Sequence, residues 1–281
     1  MGLPVRIRLY GPTDEAAKTA ATAAFARVAL LDQMMSDYRP DGELRRLGTG
    51  VDTWSVVSPE LFAVLQRAVE IARATGGAFD PTVGPLVALW RDARQSRRMP
   101  DGVALDAAKG VVGWQHVHLD PSRHAVGLGR PGIRLDHGGI AKGYILQQAL
   151  RVLASLGVTR ALVEAGGDIV VGDAPPDRDG WRIEVDGADA VFSARAARLT
   201  NRALATSGPT AQFVEIDGVR YSHVVDPRTG LGLTNQVTAR VIAQDGATAD
   251  ALATALTVVG PNGAPGILSR FPDVMVSVDR Q

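Results

Sequence analysis

Cysteine is absent from the 281 residues of this chain, which excludes a disulfide framework, a zinc–thiolate centre and a cysteine nucleophile. A cysteine-free chain is compatible with any compartment. An excess of one charge is missing too: 30 Lys and Arg balance 30 Asp and Glu. With no basic field to gather nucleic acid or an anionic membrane, no nucleic-acid partner is expected. A phosphate-bearing ligand has to be met by a local arrangement of groups. No apolar run reaches the roughly 18–20 residues that cross a bilayer, so no transmembrane segment is expected. The opening MGLPVRIRLYGPTDE reads as a strand and a turn, without the charged, apolar and small-residue segments that make up a signal peptide.

What the chain does hold is apolar material, 46% of its residues, enough for a sizeable core. Val5 to Tyr10 alternates apolar and charged residues, the period of a half-buried strand. Gly11-Pro12 ends it, and Thr13 or Asp14 can cap an alanine-rich helix running to about Met35. Ser58-Pro59 is a cap followed by proline at the first helical position, and Gly76-Gly77 closes that helix. The stretch from Arg91 to Gly113, charged and broken by proline and glycine, reads as loop. Strands are predicted at His116–Leu119, Ala125–Leu128, Ile133–Asp136, Ala161–Glu164, Ile169–Val171, Trp181–Val185, Tyr221–Val225, Gln236–Ala243 and Val274–Val278. Helices are predicted from about Gly139 to Leu156 and from Ala247 to Val259, the second ended by Gly260. Runs of strands with helices between some of them predict an α+β fold of mixed, largely antiparallel sheets with packed helices. With no repeat or flexible linker in view, residues 1–281 read as a single domain, either undivided or built of two closely packed subdomains.

Four places concentrate glycine, acids and hydroxyls beyond the needs of packing. Asp136-His137-Gly138-Gly139-Ile140-Ala141-Lys142-Gly143 sets an acid, glycines and a lysine where a strand meets a helix. There the unpaired N–H groups of the helix start, and Lys142 in its first turn, can face an anion; a tight turn with a surface lysine is the plainer alternative. In Asp250-Ala-Leu-Ala-Thr254, helical spacing stacks a carboxylate and a hydroxyl on one face. Both are hard oxygen donors suited to magnesium rather than zinc. The alternative is an acid favoured by the helix dipole and a threonine bonded back to its own helix. Ala78-Phe79-Asp80-Pro81-Thr82-Val83-Gly84-Pro85 is a rigid turn that can present a ring face and an acceptor. In Tyr221-Ser-His223-Val224-Val-Asp226-Pro-Arg228-Thr-Gly230, His223 can carry a proton, while Asp226 and Arg228 can simply pair and hold the turn.

In order and content these strings resemble the ApbE-like family, the FAD:protein FMN transferases. The resemblance runs through Met1-Gly2, then Ser36-Asp-Tyr38-Arg39-Pro40-Asp41-Gly-Glu43-Leu44, the Phe79-to-Pro85 string and the Asp136-to-Gly143 segment. It continues through Gly166-Gly167-Asp168, Ala205-Thr206-Ser207-Gly208, the His223-to-Gly230 segment and Asp250 to Leu256. It implies an ApbE/T-fold-like architecture and an enzyme that cleaves FAD and passes FMN to a threonine or serine of an acceptor flavoprotein, such as a respiratory redox subunit, releasing AMP. It further implies that Tyr38 flanks the isoalloxazine, that Met1, Ala78, Phe79 and Asp80 line the FAD site, and that Asp136, Lys142 and Val224 contact the cofactor. The Gly139 carbonyl with Asp250 and Thr254 is implied to hold Mg2+. His223 and Lys142 are the candidate catalytic groups. Three places depart from the family pattern: His137 replaces an apolar residue, Glu164-Ala165 precedes Gly-Gly-Asp, and Pro209-Thr210 follows Ala-Thr-Ser-Gly.

The expected chemistry agrees with the residue types. Attack on a pyrophosphate builds negative charge on oxygen, which a hard cation and a lysine stabilise without a covalent intermediate. The same residues would serve an FAD pyrophosphatase releasing FMN and AMP, and a non-catalytic flavin binder is a third reading. No G-x-G-x-x-G turn between strand and helix supports a dinucleotide dehydrogenase.

Overall fold

A computed structural model of the chain describes residues 3–36, 42–47, 54–184, 196–209 and 212–280. The elements run β1 (Val5–Leu9), α1 (Asp14–Met35), α2 (Glu43–Leu47), β2 (Ser55–Val56), α3 (Pro59–Ala74), α4 (Gly84–Ser96), α5 (Gly102–Val111), β3 (Val117–Asp120), β4 (Ala125–Leu128), α6 (Ala141–Ser155), β5 (Ala161–Ala165), β6 (Asp168–Val171), β7 (Trp181–Glu184), β8 (Ala196–Leu199), β9 (Arg202–Ser207), β10 (Phe213–Ile216), β11 (Val219–Ser222), β12 (Val237–Ala243), α7 (Gly246–Leu268) and β13 (Met275–Arg280). The fold is α+β. Its frame is a six-stranded sheet ordered β1-β5-β6-β9-β12-β13, with every neighbouring pair antiparallel.

Helices α6 and α7 cover one face of this sheet, α1 packs on α6, and α3 packs on α7. The other face is covered by the β7–β8 pair, whose Trp181, Ile183 and Leu199 bury against Leu162, Leu204 and Ile242. Closure on both faces explains why all seven residues of β12 are buried and why that strand reads as a nearly unbroken apolar run. Its one charge, Arg240, is satisfied by Asp279 on β13 at 2.8 Å. Local rules set the helix starts. Thr13 accepts from Ala16 N and Ser58 from Leu61 N, both at 3.2 Å, and Pro59 occupies the first turn of α3; these are the caps the sequence predicts.

The segment from Arg91 to Gly113 departs from its expected loop structure: most of it is helical, in α4 and α5. Its charges lie on the outer faces, while Leu86, Trp90 and Ala93 of α4 are buried. Its one proline, Pro100, sits between the two helices, and Asp101 caps α5 by accepting from Ala104 N at 3.0 Å. Residues 133–136 form no strand. They make one parallel bridge, Val83 to Arg134, and Asp136 N donates to Pro81 O at 2.8 Å. The partner segment is a proline-bearing turn, which cannot extend a ladder. Helix α7 breaks at Gly260, whose non-helical φ of 66° and ψ of −175° end the first helical stretch where the sequence predicts, and a second stretch carries the element on to Leu268. At 23 residues it is apolar and long enough, by length and composition, to cross a bilayer, which the sequence reading did not anticipate. Here it is a core helix, packed against α3, α6 and the sheet, with Asp250 buried in it.

Candidate active site

Two glycine-dependent features bring distant strings together. Gly166 and Gly167, with φ of 56° and 92°, form the two-residue turn between β5 and β6, a geometry in which both central residues need positive φ. That turn sets Asp168 at the head of β6, opposite Ala165. Gly143 and Gly246 lie in the first turns of α6 and α7, where a Cβ on either would overlap the other's carbonyl oxygen. Backbone meets backbone at this point, so the N-terminal ends of α6 and α7 converge beside Asp168.

Lys142, Asp168 and Asp250 meet at this corner. Lys142 Nζ pairs with Asp168 Oδ2 and lies 3.9 Å from Asp250 Oδ1. The second oxygen of each acid takes a backbone N–H: Thr206 N reaches Asp168 Oδ1 at 3.2 Å, and Gly143 N reaches Asp250 Oδ2 at 3.1 Å. The two side chains are 2% and 7% exposed. Burial pushes the Asp168 carboxyl up to about 7, with the nearby Asp250 charge adding to the effect and Lys142 opposing it. Burial also raises Asp250, against the pull of Lys142 and Gly143 N–H. Burial disfavours the Lys142 charge, but Asp250 and Asp168 together outweigh this and hold its ammonium above the ordinary lysine value. Two buried acids thus share one lysine at the start of two helices.

Thr254 lies one turn beyond Asp250 on α7. Unlike Thr257, which bonds back to Ala253 O at 2.9 Å, Thr254 makes no hydrogen bond among the described residues. A Cβ built on Gly139 would be 2.9 Å from Thr254 Oγ1 and 3.3 Å from the Phe79 ring. Phe79, Gly139 and Thr254 therefore adjoin, as the sequence reading expects of residues sharing a site. A carboxylate, a free hydroxyl and a backbone carbonyl suit a hard divalent cation. Among the described residues no three His, Cys, Asp or Glu side chains group as a metal cage, so such a cation would complete its shell from water and substrate oxygens.

The other predicted residues divide by position. Ala78 and Val224 are buried in the same main core as Phe79. Asp80 is occupied by its own turn: Oδ1 accepts from Thr82 N at 2.8 Å and Thr82 Oγ1 at 2.6 Å, and Oδ2 accepts from Trp114 N at 3.0 Å. Asp136 Oδ1 accepts from Gly138 N at 2.7 Å, and its Oδ2 lies 3.5 Å from Arg91. His223 is half-buried, with Nδ1 3.1 Å from Gln212 O. A carbonyl only accepts, so Nδ1 carries the proton and Nε2 is left as the acceptor. Burial lowers the His223 pKa, the Gln212 contact partly restores it, and the Arg94 and Lys142 charges lower it further. Asp226 pairs with Arg228 through both oxygens and accepts Arg228 N at 2.9 Å, the structural alternative the sequence offers. Met1 and Tyr38 lie outside the described residues. Asp168 and Thr206 stand in strings that carry the resemblance but were given no site role from sequence, and Arg91 and Arg94 were not singled out; for Asp168 the signal was the two-glycine turn in front of it.

A sequence model described as the ApbE family matches residues 1–277. The chain belongs to the ApbE family. Among curated ApbE relatives, the FAD:protein FMN transferase of Treponema pallidum is 32% identical over 98% of this chain and 81% of its own length. That of Vibrio cholerae is 32% identical over 92% of this chain and 79% of its own length. The crystal structure of the ApbE protein from Thermotoga maritima superposes with a TM-score of 0.87 at 29% identity, covering 100% of this chain and 94% of the other. The flavin transferase ApbE from Vibrio cholerae gives 0.84 at 31% identity, over 99% and 90%.

Proposed function

We propose that this ApbE-family chain is a flavin transferase, acting as one domain, that moves FMN from FAD to a threonine or serine hydroxyl of an acceptor protein and releases AMP. The observation that carries the reading is the pair of buried acids sharing Lys142, beside the Thr254–Gly139–Phe79 contact. The curated relatives support it by their names. In the reaction the acceptor hydroxyl oxygen attacks the FMN phosphorus as the pyrophosphate bond breaks. A phosphate ester forms on the acceptor, AMP takes the bridging oxygen, and the hydroxyl proton leaves to a base.

Asp250, Thr254 and the Gly139 carbonyl would hold a magnesium ion, which when bound supplies electrostatic stabilisation of the phosphate oxygens. Lys142, anchored by Asp168, sets a positive charge beside the same oxygens. Phe79 gives the flavin end an apolar wall, with Ala78 and Val224 behind it in the core and Asp80 fixing the turn. Asp136 and Arg91 form a polar rim. His223, neutral because it is buried near two cations and holding Nε2 free, is positioned to accept the hydroxyl proton.

The test combines the full chain, FAD, magnesium and the flavin-accepting domain of a respiratory flavoprotein, followed by intact mass of the acceptor. The expected outcome is an FMN-sized increment that requires both magnesium and Asp250. AMP production with an unmodified acceptor would replace the transferase with a pyrophosphatase. Intact FAD in the presence of magnesium and acceptor would favour a flavin binder.

A further inference from the structure

Lys142 sits where a cation bound to Asp250 would have to share oxygen with it. Its Nζ is paired with Asp168 Oδ2 and is 3.9 Å from Asp250 Oδ1, while the other oxygen of each acid is committed to a backbone N–H. The free faces of both carboxylates therefore converge on one ammonium. A divalent ion on Asp250 Oδ1 would lie within a few ångströms of that ammonium, where like charges in a partly buried site repel strongly. Helix α6 ties Lys142 to Gly143, and the Gly143–Gly246 contact ties Gly143 to α7. The lysine backbone is thus unable to retreat, and only its side chain can turn away.

Building on the magnesium placement proposed above, we propose that Lys142 is an internal counter-cation that changes partner when metal binds. It bridges Asp168 and Asp250 in the metal-free protein and is drawn wholly onto Asp168 when the ion takes Asp250. Asp168 is then a positioning residue: it sets metal affinity by holding the competing ammonium away from Asp250. Each substitution has a definite sign. Asp168→Asn leaves Lys142 only Asp250 as a charged partner and weakens metal binding. Lys142→Met removes the competitor and strengthens it. In the double variant the Asp168 effect vanishes, because it acts through Lys142.

The experiment titrates Mn2+ into the full-length chain, with and without FAD, reading free Mn2+ by electron paramagnetic resonance for wild type, both single variants, the double variant and Asp250→Ala. Thermal unfolding of each variant establishes that it is folded, and the double variant, which leaves one buried carboxylate without a lysine, is read even if Lys142→Met fails to fold. The expected result is Kd raised roughly tenfold by Asp168→Asn, lowered roughly tenfold by Lys142→Met, and lowered as far in the double variant as in Lys142→Met alone, a coupling of ordinary size for linked sites. Mn2+ binding that is absent under both conditions, or indifferent to Asp250→Ala, would overturn the metal placement and the inference with it. Binding that requires Asp250 while the double variant binds as weakly as Asp168→Asn would overturn the inference alone.

Discussion

The four buried acids among the described residues fall into two kinds. Asp80 and Asp226 sit in turns and have spent both oxygens on their own neighbourhood, Asp80 on Thr82 and Trp114 N, Asp226 on Arg228. Asp168 and Asp250 sit where the glycine-paired helices meet, and each has given one oxygen to a backbone N–H and turned the other toward a lysine they share. Burial raises the Asp80 pKa as it does those of Asp168 and Asp250, and the three donors around Asp80 pull it back. Burial and pKa alone therefore do not separate the two kinds. The separation lies in whether the hydrogen-bonding capacity of the acid is exhausted by the chain itself, because an exhausted carboxylate organises a turn and an unexhausted one can still take a ligand.

The sharpest way to break this comparison is to deny the corner its geometry. Gly143→Ala places a methyl group on the Gly246 carbonyl, and the expected loss of stability is about 4 kcal/mol or more, at the upper end for one residue. A melting temperature within a few degrees of wild type would show that the helices can part there. Asp250→Ala comes next. The transfer rate should fall about 1000-fold, as when a principal charge-stabilising group is lost, while the melting temperature falls by only a few degrees, because Lys142 keeps Asp168 and one backbone donor, Gly143 N, loses its acceptor. Parallel losses of rate and stability would place Asp250 with the turn acids.

Asp80→Ala tests the other side. It strands Thr82 and Trp114 donors and should cost about 2–3 kcal/mol in denaturant unfolding; an unchanged midpoint would mean its turn is held otherwise. The smallest effect concerns pH. A carboxyl whose native value is raised from 3.8 to about 7 binds its proton more tightly folded than unfolded, so its stabilising contribution is full below pH 4 and is lost as pH climbs through 7. The stability of wild type should therefore decline across that window relative to Asp168→Asn. Identical profiles for the two proteins would remove Asp168 as the source.

Much of this was legible in the sequence where the signal is local. The caps at Thr13 and Ser58, the strands β5, β6 and β12, and the i, i+4 pairing of Asp250 with Thr254 all follow from periodicity and short-range hydrogen bonding. What escaped depended on context. Helices α4 and α5 were hidden because charges, a proline and glycines interrupt the segment between Arg91 and Gly113, while the anchors of α4 such as Leu86 and Trp90 lie before it. Strand β9, whose Arg-Ala-Leu-Ala-Thr-Ser has little β-branched material, is fixed by β6 and β12 rather than by its own propensity. The ion pair between Lys142 and Asp168 joins residues 26 positions apart and exists only because a two-glycine turn ends beside a helix start, which no single window contains. The gathering of Phe79, Gly139 and Thr254 was likewise inferred from family resemblance rather than from spacing.

Where Gly143 presses on Gly246 there is no side chain to yield. A joint of this kind cannot loosen by rotamer hopping on the nanosecond scale; it opens only when α6 leaves α7, which means opening the core. The separation of Lys142 from the Asp250 backbone is therefore as durable as the protein itself. In kinetic terms the amide hydrogen of Gly143 should exchange with solvent at the rate set by global unfolding, making one backbone proton a reporter of whether the charged corner is assembled.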